Sequence, residues 1–333
     1  MSASGNTRPT RERLARAIAE RYRCPDQFLN FELSGDLNND AGYFRFGPDA
    51  IGYGRATIDG LCESPNLALE DCSLRTKLTD SRVELPFDPT EVIDNLRWER
   101  YPESAFSPYR RLFKRAYYFL RPPSISLRKW VQKFHLGSRL NAALPKWPVD
   151  TTVEDIAERC LLLALQAGDI KRIPFVWFWP RGFKSCLIMT HDVETKAGLD
   201  FCSELMDLDQ EFGVPASFQI VPEGRYEVPH DLLESMRRRG FEVAIQDLNH
   251  DGRLFDSEGE FFRRAALINQ YAKEYAAEGF RAAVLYRRPE WLHKLKISYD
   301  MSVPNVARLD PQPGGCCTVL PYFLGDIVEL LPS

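Results

Sequence analysis

Residues 186–222 read CLIMTHDVETKAGLDFCSELMDLDQEFGVPASFQIVP, and their order decides the fold. CLIMTHDV is a short apolar run that turns polar at its end. LDFCSELMDLDQEFG places Phe201, Leu205, Leu208 and Phe212 at helical spacing, with Gly213 as a stop signal. ASFQIVP then reads as a second strand. A strand, a helix and a strand in so short a stretch predict parallel pairing through a right-handed crossover. The alternation continues downstream. HDLLESMRRRG is a helix and FEVAIQDL a third strand, and residues 258–278 put Phe261, Ala265, Ile268 and Ala272 on one helical face. AAVLY, the helical turn PEWLHKLK, ISYDMSV, CTVLPYFL and DIVELL follow. About seven strand candidates between 186 and 333 predict an α/β unit with a distorted (β/α) barrel-like sheet.

Upstream the text differs. Residues 11–22 carry Leu14, Ala17, Ile18 and Tyr22 on one helical stripe, and residues 29–60 are rich in Gly, Asn and aromatics, which predicts short strands and turns. TVEDIAERCLLLALQ reads as a helix with Thr152 as N-cap. The expected division is an α+β region over 1–170 and the barrel-like unit over 171–333. Between Ser104 and Val149 ten Lys and Arg residues occur with no acidic residue, interleaved with aromatics such as Tyr109, Phe113 and Trp130. Such a stretch suits either a solvated helical linker or an anionic membrane surface.

The chain has 333 residues, 44% hydrophobic and 27% charged, with a net charge of −4. Those values describe a globular protein and exclude a globally basic nucleic-acid binder. The eight cysteines form no CxxC pair and read as reduced, mostly buried thiols. No run of about 18 apolar residues is present, and the N-terminus has no apolar secretory core, so a cytoplasmic location is expected, peripheral to the membrane if 104–149 binds an anionic surface.

In parallel α/β folds, working residues lie just past the C-terminal ends of strands. Four clusters meet that condition: His191-Asp192-Val193-Glu194, Asp247 with Asn249-His250-Asp251, Arg281 or Arg287-Arg288, and Asp300. Carboxylates, an imidazole and an arginine on one rim are the groups that metal-assisted hydrolysis requires, since a bound divalent ion makes water nucleophilic at neutral pH. The same letters also have plainer uses. Asn-His-Asp-Gly is good turn chemistry. Gly314-Gly315-Cys316-Cys317 reads as a tight turn entering a buried strand, and His230 and His293 as ordinary helix residues.

With these motifs on the page, residues from about 175 onward resemble the polysaccharide deacetylases, the NodB-homology domain of carbohydrate esterase family 4. The resemblance implies a distorted (β/α) barrel that removes N-acetyl groups from sugars with a divalent metal, usually zinc. Thr190-His191-Asp192-Val193-Glu194 occupies the first motif, where Asp192 matches the catalytic base and Glu194 stands nearest to the lost metal-binding aspartate at Val193. Gln246 to His250 falls on the second motif, whose two histidines are metal ligands; His250 matches one and Gln246 replaces the other. Arg281 matches the arginine of the third motif, continued by Tyr286 through Trp291, and Asp300-Met301-Ser302 resembles the fourth. The terminal Leu-x-x-His motif has no counterpart.

The resemblance thus implies Asp192, Arg281 and Asp300 as catalytic residues and His250, Glu194 and Asp247 as metal ligands. Gln246, Asn249, Tyr286 and Trp291 are expected to bind substrate. The expected function is a metal-dependent carbohydrate deacetylase with an altered site, and the alternative is a non-catalytic deacetylase-like domain that binds a glycan or partner.

Overall fold

The computed structural model describes residues 9–102, 143–308 and 310–332. Most of the basic aromatic stretch 104–149 lies outside the described residues. The chain divides into two compact units, the second beginning at Trp179, with residues 305–309 and 313–319 returning to the first.

The first unit contains helices α1 (Arg11–Tyr22), α2 (Pro89–Arg97) and α3 (Thr152–Ala167). Its strands are β1 (Phe31–Leu33), β2 (Gly42–Arg45), β3 (Ile51–Gly54), β4 (Lys77–Thr79) and β5 (Arg82–Leu85). The strands form a three-stranded sheet in the order β1-β5-β4 and a β2-β3 hairpin. As the spacing predicts, α1 buries Leu14, Ala17 and Ile18, here against a core containing Phe31, Phe44, Phe46 and Phe87. Thr10 and Asp88 cap α1 and α2 by accepting backbone N–H groups. At α3 the cap differs from expectation: Thr151 precedes the helix and makes no cap bond, while Asp150 Oδ1 accepts from Thr152 N at 2.7 Å.

The Gly-Gly-Cys-Cys stretch leads into no strand. Residues 313–319 pack irregularly in the first unit, where Cys317 O accepts from Val153 N at 3.0 Å. Gly315 is required there, because a Cβ would meet Asn305 O at 2.2 Å. Six of the eight thiols are buried, and Cys186 is exposed.

The second unit contains β6 (Met189–Val193), α4 (Lys196–Glu211), β7 (Ala216–Ile220), α5 (His230–Arg238), β8 (Glu242–Gln246), α6 (Glu258–Glu274), β9 (Gly279–Arg281), β10 (Tyr299–Asp300), β11 (Tyr322–Leu324) and β12 (Ile327–Glu329). The seven strands make one sheet in the order β11-β12-β10-β9-β8-β7-β6. All neighbours are parallel except β11, which pairs antiparallel with β12 around Gly325. The strand-helix alternation therefore has the parallel pairing that its sequence predicts. Closure does not follow, since the pairing among the described residues runs from an edge at β11 to an edge at β6.

The sheet is nevertheless strongly curved. Arg281 on β9 donates to Asp192 on β6 at 2.6 Å. Three strand spacings in a flat sheet are about 14 Å, further than an arginine side chain extends. Tyr299 on β10 similarly reaches Glu242 on β8 at 2.7 Å. Its ring crosses Gly279, where a Cβ would lie 2.1 Å from the ring. One face is thus concave, and long polar side chains span it.

Two local expectations change. AAVLY is not a strand: β9 ends at Arg281, and Ala283–Leu285 is a 3-10 turn with Val284 and Leu285 at positive φ. On α4 the buried residues are Leu199, Cys202, Met206 and Asp209, whereas Phe201, Leu208 and Phe212 are exposed. The helix has two candidate stripes, and the 2.7 Å contact between His191 Nε2 and Asp209 Oδ2 accompanies burial of the more polar one. On α6 the predicted stripe of Phe261, Ala265, Ile268 and Ala272 is buried.

Candidate active site

Register assigns each strand residue to a face. In neighbouring parallel strands, aligned residues point the same way, and the alternation is strict. Asp192 aligns with Gln219 and Gln219 with Ala244, while Gln246, two residues along β8, aligns with Arg281. Arg281 in turn contacts Asp192 and Thr190, so all of these share the concave face. Val193, Ile220, Ile245 and Phe280 align on the opposite face, and Asp300 aligns with Phe280. Asp300 is therefore not on the rim with Asp192.

Two small groups form the centre. In the first, Arg281 Nη1 donates to Asp192 Oδ1 and Nη2 donates to Thr190 Oγ1 at 3.2 Å. The Asp192 side chain stays 36% exposed, so the guanidinium orients a carboxylate that solvent still reaches. In the second, Gln246 Nε2 donates to Glu194 Oε1 at 3.3 Å, and His250 Nε2 lies 3.1 Å from the same oxygen. That imidazole is not aligned for hydrogen bonding, and Nε2 is a buried nitrogen without a hydrogen-bond partner. His250 takes φ 53°, and Arg225 steadies it by donating to its carbonyl at 2.5 Å.

The other expected residues are engaged elsewhere. Asp247 is buried at φ 54°, and its Oδ1 accepts from Leu248 N at 2.6 Å. Burial pushes its carboxyl above the usual range. Asn249 Oδ1 accepts from Arg264, which also holds Asp251 through two nitrogens. Trp291 packs with Phe255 and Phe261, and the Tyr286 ring lies over Gly252. These four act as supports for the turn after β8 and for the α6 side.

Asp300 is fully buried. Ser302 Oγ donates to its Oδ1 at 2.7 Å, and Glu329, aligned with it on β12, is fully buried as well. Burial raises the pKa of both groups, and their mutual repulsion holds Glu329 well above the carboxylate range. Glu329 Oε1 accepts from Val303 N at 2.9 Å, Oε2 has no hydrogen-bond partner, and the charge of the buried Arg287 opposes the upward shift. Full burial, the bonds from Ser302 and its place on the face opposite Asp192 set Asp300 apart from the other expected site residues.

A divalent metal is implied by the sequence resemblance, and the donor set tests it. The orphaned His250 Nε2 beside Glu194 offers two ligands. Asp247 does not join them: among the described residues, three His, Cys, Asp or Glu ligand atoms come within 4.8 Å of one another only at His230, Asp231 and Glu234, exposed at the N-terminal end of α5. Gln246 supplies an amide, a weak zinc ligand, and turns its N–H toward Glu194. Catalytic zinc normally has three protein ligands. The residues present fall one strong ligand short of fitting it.

Gln219 is the site residue that the sequence reading missed. It is fully buried on β7, beside the edge strand β6, its Nε2 donates to Ser217 Oγ at 3.0 Å, and its Oε1 has no partner. A polar letter inside the strand ASFQIVP, two residues after Ser217, was the available signal.

The site belongs to an α/β unit with a curved parallel sheet whose polar groups gather on the concave face. No family model and no curated protein matches the chain. Among solved structures, it is similar to a Mycobacterium smegmatis protein described as a candidate polysaccharide deacetylase, at 20% identity and a TM-score of 0.34, over 46% of this chain and 61% of that one. The chain thus spans about three fifths of that protein. Among the described residues, no helix is long and apolar enough to cross a membrane.

Proposed function

We propose that the concave face of the second unit is a hydrolase centre for N-acylated sugars. Asp192 accepts a proton from water as the water oxygen adds to the acyl carbon and the carbonyl pair moves to oxygen. The tetrahedral oxyanion then collapses, the C–N bond breaks, and the proton passes from Asp192 to the amine nitrogen, leaving the free acid and the amine. Arg281 fixes the carboxylate in position. Glu194, His250 and Gln246 line the neighbouring part of the same rim. No step is routed through a metal, because the donor set does not fit one.

The observation that carries this reading is the Arg281–Asp192 contact across three strand spacings, made to a carboxylate that remains accessible. A purely structural ion pair gains little from an exposed position. The test is release of acetate and free amine from N-acetylglucosamine oligomers and nucleotide sugars. Release by the wild type that disappears in Asp192→Asn supports the reading, and no release from any of them sinks it.

A second reading, glycan binding without hydrolysis, is favoured by the amide of Gln246, which occupies Glu194 instead of presenting a second imidazole. Sugar binding without acetate release would select it.

A further inference from the structure

Buried polar atoms without partners cost a fold stability, so several on one face call for a reason. On the concave face three of them occur together: Gln219 Oε1, Gln246 Oε1 and Arg281 Nε. Gln219 is fully buried and Gln246 is 2% exposed. Register sets their relation. Gln219 aligns with Ala244, two residues before Gln246 on the adjacent strand, a diagonal of about 7–8 Å between backbones. Arg281 aligns with Gln246, and Asp192 with Gln219, so the three residues share a face with the carboxylate assigned above as proton acceptor.

Their chemistry is specific. Two amide oxygens accept, and one guanidinium N–H donates. A ligand that satisfies all three brings two donors and one acceptor. An N-acylated amino sugar has them in its amide N–H, its hydroxyls and its acyl oxygen. Gln219 has no other evident use, since its one bond, to Ser217 Oγ, stays within its own strand. A residue of the same length without the amide would fill the space at lower cost.

We infer that Gln219 is a ligand-reading residue: its buried Oε1 accepts a hydrogen bond from an N–H or O–H group of an acylated amino sugar on the floor of the concave face. This rests on the function proposed above and adds a specificity-determining group to it. Gln219 takes no part in the proton transfer, so its loss weakens binding more than it slows turnover.

The experiment uses the full chain and two variants, Gln219→Met and Gln219→Leu, read by thermal melting without ligand and by calorimetric binding of N-acetylglucosamine oligomers. Removing an unsatisfied buried oxygen is expected to raise the melting temperature by about 2–4 °C. Losing one hydrogen bond to the ligand is expected to weaken binding about tenfold, with KM following and kcat changing less. Either variant showing both effects supports the inference. Wild-type binding that both variants leave intact overturns the role of Gln219 while the functional reading stands. Lower melting temperatures in both also overturn it, because the amide is then structural. Absence of any sugar binding or turnover by the wild type overturns the functional reading, and the sugar assignment of Gln219 falls with it.

Discussion

Asp192 and Asp300 belong to strands of the same curved sheet, yet they lie on opposite faces and in opposite states. Asp192 is 36% exposed and held by a guanidinium, whereas Asp300 is fully buried and faces a second carboxyl at Glu329. The first presents its carboxylate at an open surface. The second sits where a charge is costly, and the pair lowers that cost by keeping a proton. The difference shows that an aspartate near a strand end is a site residue only when the register turns it toward the open face.

The largest expected effect breaks the comparison on the Asp192 side. Asp192→Asn should lower acyl release by about 10²–10⁴-fold with little change in melting temperature, checked by acetate assay and calorimetry. A large loss of stability with no selective loss of turnover would make Asp192 a structural group like Asp300.

On the other side, Glu329→Ala removes the facing carboxyl and strips the buried Val303 N–H of its acceptor, while Ser302 still holds Asp300. Unfolding free energy should fall by about 3 kcal/mol, measured by denaturant titration. An effect under about 0.5 kcal/mol would mean that the pair matters little to the fold.

Gln246→His sharpens the contrast between a hydrogen-bonded rim and a metal site. It restores an imidazole four residues before His250, beside Glu194, and gives zinc a third strong ligand. The variant should take up about one equivalent of zinc and gain about 2.7 kcal/mol of stability when free zinc is 100 times its Kd. The wild type should do neither. Elemental analysis after dialysis is the check, and stoichiometric zinc in the wild type would contradict the donor-set argument.

The smallest effect is a slope. The folded-state pKa of the Asp300–Glu329 pair is raised, so the native chain holds a proton that the unfolded chain releases above the ordinary carboxylate range. The stability this proton represents is fully present below the unfolded pKa and is lost as pH rises toward the folded value, at about 1.4 kcal/mol per pH unit for one proton. Glu329→Gln imitates the protonated acid. It should flatten the decline in stability between pH 5 and the folded pKa, and unfolding curves at several pH values would reveal it; an unchanged slope would place the proton elsewhere.

Much of this architecture was legible in the sequence. The strand-helix alternation after residue 186, the buried stripe of α6 and the place of Asp192 and His250 at strand ends follow from periodicity and from where polar letters interrupt it, whereas Arg281 was singled out by the family resemblance. The α4 stripe was not legible, because that helix offers two apolar sides and only packing against the sheet selects one. The 3-10 turn at AAVLY was hidden too, since its residues have strand propensity and neighbouring structure overrides it.

By itself, then, the sequence determined most of the strand-helix alternation, the parallel pairing of β6 to β9 and the inventory of polar groups, because local patterns are properties of neighbouring residues. Tertiary structure alone decided that the sheet curves without the described strands closing it, and that Asp192 meets Arg281 across three strand spacings. It also decided that Asp300 is sealed away with Glu329 and that Gln219 stands among the site groups. Those outcomes depend on register between distant strands, and a shift of one residue would exchange the two faces.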